Sequence, residues 1–185
     1  MMDVFDPLPD QWHSADQQLM FALTVPVEAD LFYPQWRDPA VAHQLGMTPP
    51  ANVNDVRTML AYYIGNAQTG SAARYTVRHG QTVIGICGFN DIDRADSRVE
   101  IGYEILPAYQ HRGWGSALVA AMVDQAWQAL DLNRVGAGVL PANTASLAVL
   151  RHNGFTTEGT LRQFTRIGDT VYDLVMCSKV RALDK

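Results

Sequence analysis

Apolar positions recur along this chain with two different periods. From Leu19 to Leu23 they fit a short strand. Pro26 then offers a first helical position, and Ala29, Leu31, Phe32, Trp36 and Val41 predict one or two helices up to Leu45. Pro34 and Pro39 interrupt that pattern, so a break or kink is expected there. Asn52-Val-Asn54 can cap a helix carrying Val56, Met59, Leu60, Tyr63 and Ile64. The period then shortens to two. Residues 74–79 and 82–89 flank Gly80-Gln81 as a hairpin. Residues 98–106 alternate, with Val99, Ile101, Tyr103 and Ile105 on one face and Glu100, Gly102 and Glu104 on the other. Helical spacing returns over 115–130, where Leu118, Val119, Met122, Val123, Ala126, Trp127 and Leu130 form one stripe. Residues 134–140 read as a short strand, and 143–153 as a helix with Gly154 at its C′ position. Residues 155–167 and 170–180 read as two strands joined by Gly168-Asp169. The order strand, helices, three strands, helix, strand, helix, two strands predicts a mixed α/β domain around one central sheet.

Composition narrows the class. A chain of 185 residues suits one domain, and 48% hydrophobic against 18% charged residues is enough for a sizeable core. The first dozen residues hold three acids and two prolines, so residues 1–18 read as an N-terminal arm and 19–185 as a single domain. No apolar run reaches the ~18 residues of a membrane span, and the acidic start lacks the basic region of a secretory signal. A cytoplasmic protein that does not engage membranes is the expectation. Cys87 and Cys177 lie far apart in apolar segments and read as buried, reduced thiols. His43, His79 and His152 have no metal-ligand spacing, so no metal is expected.

The formal charge is −5, which argues against nucleic acid as a partner. Its distribution says more. Residues 1–60 hold eight acids against only Arg37 and Arg57, whereas residues 61–185 hold eleven acids and twelve bases.

The stretch richest in chemistry runs from Glu100 to Ser116. A strand stops at Pro107, a loop holds Gly113 and Gly115, and a helix begins. Free amides and the positive end of a helix dipole suit a phosphate, and His111 and Arg112 add donors. The loop is neither GxGxxG nor a Walker P-loop. The residues alone imply a phosphate-bearing ligand after the strand, or an ordinary glycine-rich turn.

Gln110-His-Arg-Gly113-Trp-Gly115 resembles the Gln/Arg-x-x-Gly-x-Gly/Ala element of the GCN5-related N-acetyltransferases (GNAT). The Glu100-Ile-Gly-Tyr103 strand, Asn143-Thr-Ala-Ser146 and Leu150-Arg-His-Asn-Gly154-Phe155 are similar to the RimJ/RimL branch, which modifies ribosomal-protein N-termini. The resemblance is strong over about residues 73–179 and weaker over 19–70, where it rests on Trp36-Arg-Asp-Pro-Ala-Val-Ala42. It implies a central, mostly antiparallel sheet flanked by helices, with two neighbouring parallel strands (98–106 and 134–140) splayed into a V that holds coenzyme A.

Residue by residue, the resemblance implies acetyl-CoA as co-substrate. Backbone groups of Ile105 and Leu106 would pair with the pantetheine arm, and an amide near Ile105 would polarise the thioester. Amides of His111, Arg112, Gly113, Trp114, Gly115 and Ser116 would take the pyrophosphate, and Gln110, which opens the motif, would belong to the same cofactor-binding loop. Asn143 would touch pantetheine, cap the last helix, or do both. Amine attack on a thioester needs a base, for which Glu100 leads and Glu104 is the runner-up. Either could instead pair with an arginine such as Arg98 or Arg74. Many relatives carry a tyrosine acid seven residues after the Asn; Leu150 stands there, and Ser146 takes a supporting role near the sulfur.

The expected activity is acetyl transfer from acetyl-CoA to a primary amine, a protein N-terminus or a small molecule, by direct transfer in a ternary complex. The alternative is a non-catalytic acyl-CoA-binding sensor. Early helices would form the acceptor wall, so the acidic first third suggests a cationic acceptor. The last hairpin could pair across a homodimer.

Overall fold

The computed structural model describes residues 7–182. Eight strands form one sheet. They are β1 (Gln11–His13), β2 (Leu19–Leu23), β3 (Ala73–His79), β4 (Thr82–Asp93), β5 (Arg98–Ile105), β6 (Arg134–Val139), β7 (Thr156–Ile167) and β8 (Thr170–Val180). Their spatial order is β1-β2-β3-β4-β5-β6-β8-β7. Every neighbouring pair is antiparallel except β5 and β6. Among the described residues there are five α-helices, α1 (Ala29–Trp36), α2 (Pro39–Gln44), α3 (Val53–Gln68), α4 (Trp114–Gln128) and α5 (Thr144–His152), and two short 3-10 turns, Pro26–Glu28 and Pro107–Tyr109. The mixed α/β class and the single sheet agree with the sequence pattern.

The two periods in the sequence become two buried layers. On one face of the sheet, Leu118, Val119, Met122, Val123 and Ala126 of α4 pack with Val99, Ile101 and Ile105 of β5. On the other, Ala29, Phe32 and Trp36 of α1 meet Val56 and Leu60 of α3 over Ile86 of β4. Each large side chain so buried contributes roughly 1.5–3 kcal/mol. Asn52 caps α3 by accepting from the amides of Asn54 and Asp55, as its sequence position suggested. Cys87 and Cys177 are buried and free.

Three local expectations are corrected. The chain does not break at Pro34, which lies inside α1, two residues before its end. The break falls at Asp38, whose extended backbone precedes Pro39 and whose carboxylate caps α2 at the Ala40 amide. Strand β4 runs on to Asp93 rather than stopping at Phe89, because polar Asn90–Asp93 pairing needs no apolar alternation. The reading of the first dozen residues as a loose arm fails from Leu8 onward. Leu8 and Trp12 are buried, β1 pairs with β2, and the Trp12 ring stacks on Phe21 with centroids 3.6 Å apart. A three-residue strand leaves no periodicity to read. Residues 1–6 of that arm lie outside the described residues.

Gly85 on β4 stands opposite Ile105, and a Cβ there would overlap the Glu104 carbonyl oxygen. Backbone cannot swing aside as a side chain can. Gly85→Ala is therefore expected to destabilise the fold by about 2–3 kcal/mol. Gly159→Ala, where a Cβ meets open space, is expected to change stability by less than about 0.5 kcal/mol. Urea unfolding midpoints of the two variants measure the contrast.

Candidate active site

Strands β5 and β6 pair only at Arg98–Arg134, Val99–Val135 and Glu100–Gly136. Both then continue without pairing, β5 to Ile105 and β6 to Val139. A cleft of about 620 Å³ opens along that splay, lined by both strands, the loop before α4, the start of α5 and residues of α1–α3. The Leu106 amide donates to Ile84 at 2.9 Å, so by antiparallel alternation the Ile105 and Tyr103 amides point away from β4, toward the splay. Leu106 itself is thus committed to β4. The Ile105 carbonyl accepts from Gln110 Nε2 at 2.9 Å, which braces the loop against the strand end.

The loop turns sharply into α4. His111 (φ 60°) and Gly113 (φ 83°) both adopt left-handed backbone, and Gly113 is the N-cap. For glycine this conformation is free; for His111 it is strain of the kind held at binding sites. The Ser116 and Ala117 amides turn back to the Gly113 carbonyl, each at 3.1 Å. The amides of Trp114 and Gly115 have no intrahelical acceptor by helix geometry. Gly113, Gly115, Ser116, Gln110 and His111 line the cleft, whereas Arg112 and Trp114 do not. Arg112 reaches back over the Tyr109 ring, and Trp114 packs against His79. Ser116 Oγ accepts from Asn153 Nδ2 at 3.0 Å, tying the loop to α5.

The two candidate bases separate. Glu100 sits at the closed end of the V, beside Gly136, where the strands still pair, and it does not line the cleft. Glu104 lines it and is only 8% exposed. Trp36 Nε1 donates to Glu104 Oε2 at 2.7 Å. Burial pushes the Glu104 carboxyl from 4.5 up to about 7, and the Trp36 hydrogen bond holds it from rising further. Neither glutamate is paired with Arg74 or Arg98; Arg98 pairs with Asp93 and Asp96. Trp36 and Tyr63 are cleft wall, whereas Tyr62 is 66% exposed.

Ser146 lies in the first turn of α5, and its hydroxyl shares a 3.0 Å hydrogen bond with Tyr103 Oη. Burial first, offset by that bond, pushes the Tyr103 phenol up to about 12, so it is a proton donor over the whole physiological range. Asn143 Oδ1 accepts from the Ser146 amide at 3.1 Å and caps α5, while Nδ2 donates to the Gln44 carbonyl at 3.3 Å. Leu150 is fully buried, so the family's tyrosine position points into the core here. The sequence assigned no role to the Trp36 indole, which depends on a partner 68 residues away.

The first third walls part of the cleft, but not with its acids. None of its described acids is among the lining residues. Glu28 binds Arg78 and Thr76, Asp30 binds Arg57, Asp16 binds Ser14, and Asp38 and Asp55 cap helices. The charge split reflects capping and pairing, and the expectation of a cationic acceptor loses its basis. Among the described residues, no cluster of three or more His, Cys, Asp or Glu is placed to hold a metal, and no helix is long and apolar enough to cross a membrane.

A splayed parallel pair beside a left-handed glycine turn and a helix N-terminus is the arrangement expected of an acyl-CoA-dependent transferase. A family model described as the acetyltransferase (GNAT) domain matches residues 19–156. The uncharacterized N-acetyltransferase p20 of Bacillus licheniformis is 33% identical over 156 residues, 83% of this chain and 88% of that protein. The solved structure of RimL, a ribosomal L7/L12 alpha-N-protein acetyltransferase in complex with coenzyme A, superposes with a TM-score of 0.77 at 20% identity. The match covers 95% of this chain and 98% of that one. Spermidine N-acetyltransferase from Vibrio cholerae, in complex with CoA and spermine, superposes with a TM-score of 0.78 at 16% identity, covering 88% and 95%. The chain belongs to the GNAT acetyltransferase family and is an N-acetyltransferase.

Glu104 also makes stability depend on pH. Its protonated form is favoured in the folded state, so its contribution is intact below pH 4.5 and is lost as pH rises toward about 7. The full difference is about 3 kcal/mol. Urea unfolding at pH 5 and pH 8 should show wild type losing roughly 2–3 kcal/mol relative to Glu104→Gln across that interval. Equal slopes for the two proteins would contradict a buried carboxyl at this site.

Proposed function

We propose that this chain transfers the acetyl group of acetyl-CoA directly to a primary amine, with Glu104 as the general base. The observation that carries this reading is a carboxylate buried in the cleft, held through one oxygen by Trp36 and titrating near neutrality. A base works best when its pKa lies near the working pH. Glu100 does not line the cleft.

Acetyl-CoA supplies an activated thioester. The protein's own residues would do the rest. The Gly113, Trp114 and Gly115 amides and the positive end of α4 suit the pyrophosphate. The Ile105 amide, pointing into the splay, suits the pantetheine arm or the developing oxyanion. Glu104 takes a proton from the acceptor ammonium, directly or through one water, and frees the lone pair that attacks. Tyr103 and Ser146, hydrogen-bonded to each other on the opposite face of β5, form the donor pair available to a departing thiolate. They stand in for the tyrosine that Leu150 replaces. A pure sensor would need no buried base at the cleft, and this favours the catalytic reading.

Thiol release from acetyl-CoA with a broad amine and peptide panel tests the proposal; no release with any acceptor, despite acetyl-CoA binding, overturns it. With an active acceptor, kcat/KM is expected to rise with pH through about 7. Glu104→Gln should lower it by on the order of 10²–10⁴-fold, and Glu100→Gln should retain most of it. Trp36→Phe removes the bond that lowers the Glu104 pKa, so the acidic limb should move to higher pH. An unmoved limb would mean that another group is titrating.

A further inference from the structure

The cleft wall remote from the glycine loop carries a single guanidinium. Among the described residues, Arg74 on β3 is the one arginine or lysine lining the cleft, and Glu104 is the one acid. Arg74 has no carboxylate within ion-pair distance among the described residues, where Arg57, Arg78, Arg98, Arg134 and Arg181 all have one. It is nonetheless held in place. Its Nη2 donates to the Tyr63 hydroxyl at 3.1 Å, and its guanidinium carbon lies 4.3 Å from the centre of the Tyr63 ring. Its Nη1 is covered and has no hydrogen-bond partner among the described residues. The surrounding wall is apolar, with Met59, Ile86 and Cys87.

The sheet beneath is shaped to receive this side chain. Arg74 pairs with Gly88, and Gly88 with Gly102, so two glycines continue its row across β4 and β5. A Cβ at Gly88 would collide with the guanidinium, while Gly102 lines the cleft. A strip without side chains therefore leads from Arg74 to Gly102, and Glu104 is the next residue on the same face of β5. One end of the strip carries a permanent positive charge with an unused donor. The other carries the base.

Resting on the acetyl-transfer reading above, we propose that Arg74 binds a carboxylate of the acceptor, so that the acceptors are amines bearing a carboxylate, of amino-acid or short-peptide type. The amine then lies toward Glu104 and the carboxylate against the guanidinium. A guanidinium plane fixed by ring stacking presents its charge to a carboxylate in one orientation. An apolar wall strengthens that pairing. A polyamine would bring further positive charge against Arg74 with no carboxylate there to shield it, and a phosphate dianion would find only one cation.

The test pairs acceptors that differ only in this group. Thiol release from acetyl-CoA is followed with amino acids, ω-amino acids and dipeptides, each beside its carboxamide, and with spermidine and O-phosphoethanolamine. The best acceptor should be a carboxylate, with kcat/KM at least tenfold above its carboxamide. In Arg74→Met that ratio should fall to near one through a raised acceptor KM, with acetyl-CoA KM unchanged. Arg74→Lys, which keeps the charge without the guanidinium plane, should give an intermediate ratio and serves if the Met variant does not fold. A best acceptor that is a polyamine, a phosphate or a carboxamide overturns the proposal, as does a ratio that survives Arg74→Met. A second measurement separates this failure from failure of the transfer reading. The Arg74 Nε–Hε resonance, assigned with Arg74→Lys, should shift with the amino acids and dipeptides, and with their N-acetyl forms, but not with the carboxamides. That shift without any thiol release would sustain the carboxylate site and sink the transferase reading; no shift with any of them overturns the site.

Discussion

The parting of β5 from β6 is the constraint on which the rest of the site depends. A parallel pair normally continues its ladder, because an unpaired strand edge inside a protein leaves amides and carbonyls without partners. Here the ladder between them stops after Glu100–Gly136, and each strand runs on for several residues paired only on its far side, β5 with β4 and β6 with β8. The segments leaving the two strands open on the same gap. After β5 come the left-handed turn at His111 and Gly113 and the N-terminus of α4; after β6 come Asn143 and the N-terminus of α5. Two helix starts thus face one cleft whose walls retain free backbone donors. Such a cleft suits a long, amide-bearing, phosphate-bearing molecule better than a compact one. The Asn143–Gln44 bond adds a clamp from the other side, joining α5 to α2.

Strand alternation then sorts the chemistry. Even positions of β5 face α1 and α3, and odd positions face α4 and α5. Glu104 is therefore delivered to Trp36, and Tyr103 to Ser146, from adjacent residues of one strand. The proposed base, Glu104, and the proposed donor pair, Tyr103 and Ser146, reach the cleft from opposite faces of the sheet. This is the separation that a reaction needing proton removal at one end and proton delivery at the other requires. Glu100, on the same face as Glu104, differs by four positions along the V. That distance alone takes it from the open cleft to the paired, half-buried closed end.

Much of this was legible in the sequence. The alternation of Val99 to Ile105, the stripe on α4 and the glycines of the loop are local signals, and they located both layers and the turn that lines one end of the cleft. Local signals did not rank Glu100 against Glu104, because the ranking comes from an indole on a helix far away in the chain. The Arg74–Gly88–Gly102 row was invisible for the same reason: it exists only across three strands in register. Strand β1 was missed because three residues carry no period, although Trp12 and Leu8 are among the buried residues.

The charge balance shows where composition stops being informative. A net of −5, concentrated in residues 1–60, suggested an acidic acceptor wall. The fold commits Glu28, Asp30, Asp38 and Asp55 to arginine pairs and helix caps, where each is already compensated at short range. Compensated charges contribute little field at a cleft some distance away, particularly at physiological ionic strength. The field inside is set instead by two groups without such partners: a guanidinium stacked on Tyr63, and a carboxyl so poorly solvated that it is only partly ionised near neutral pH. Within the cleft, half-buried Arg74 and buried Glu104 outweigh the described acids of the first third. The sign of the acceptor's own charge is therefore a question about Arg74 and Glu104, not about the overall balance of the chain.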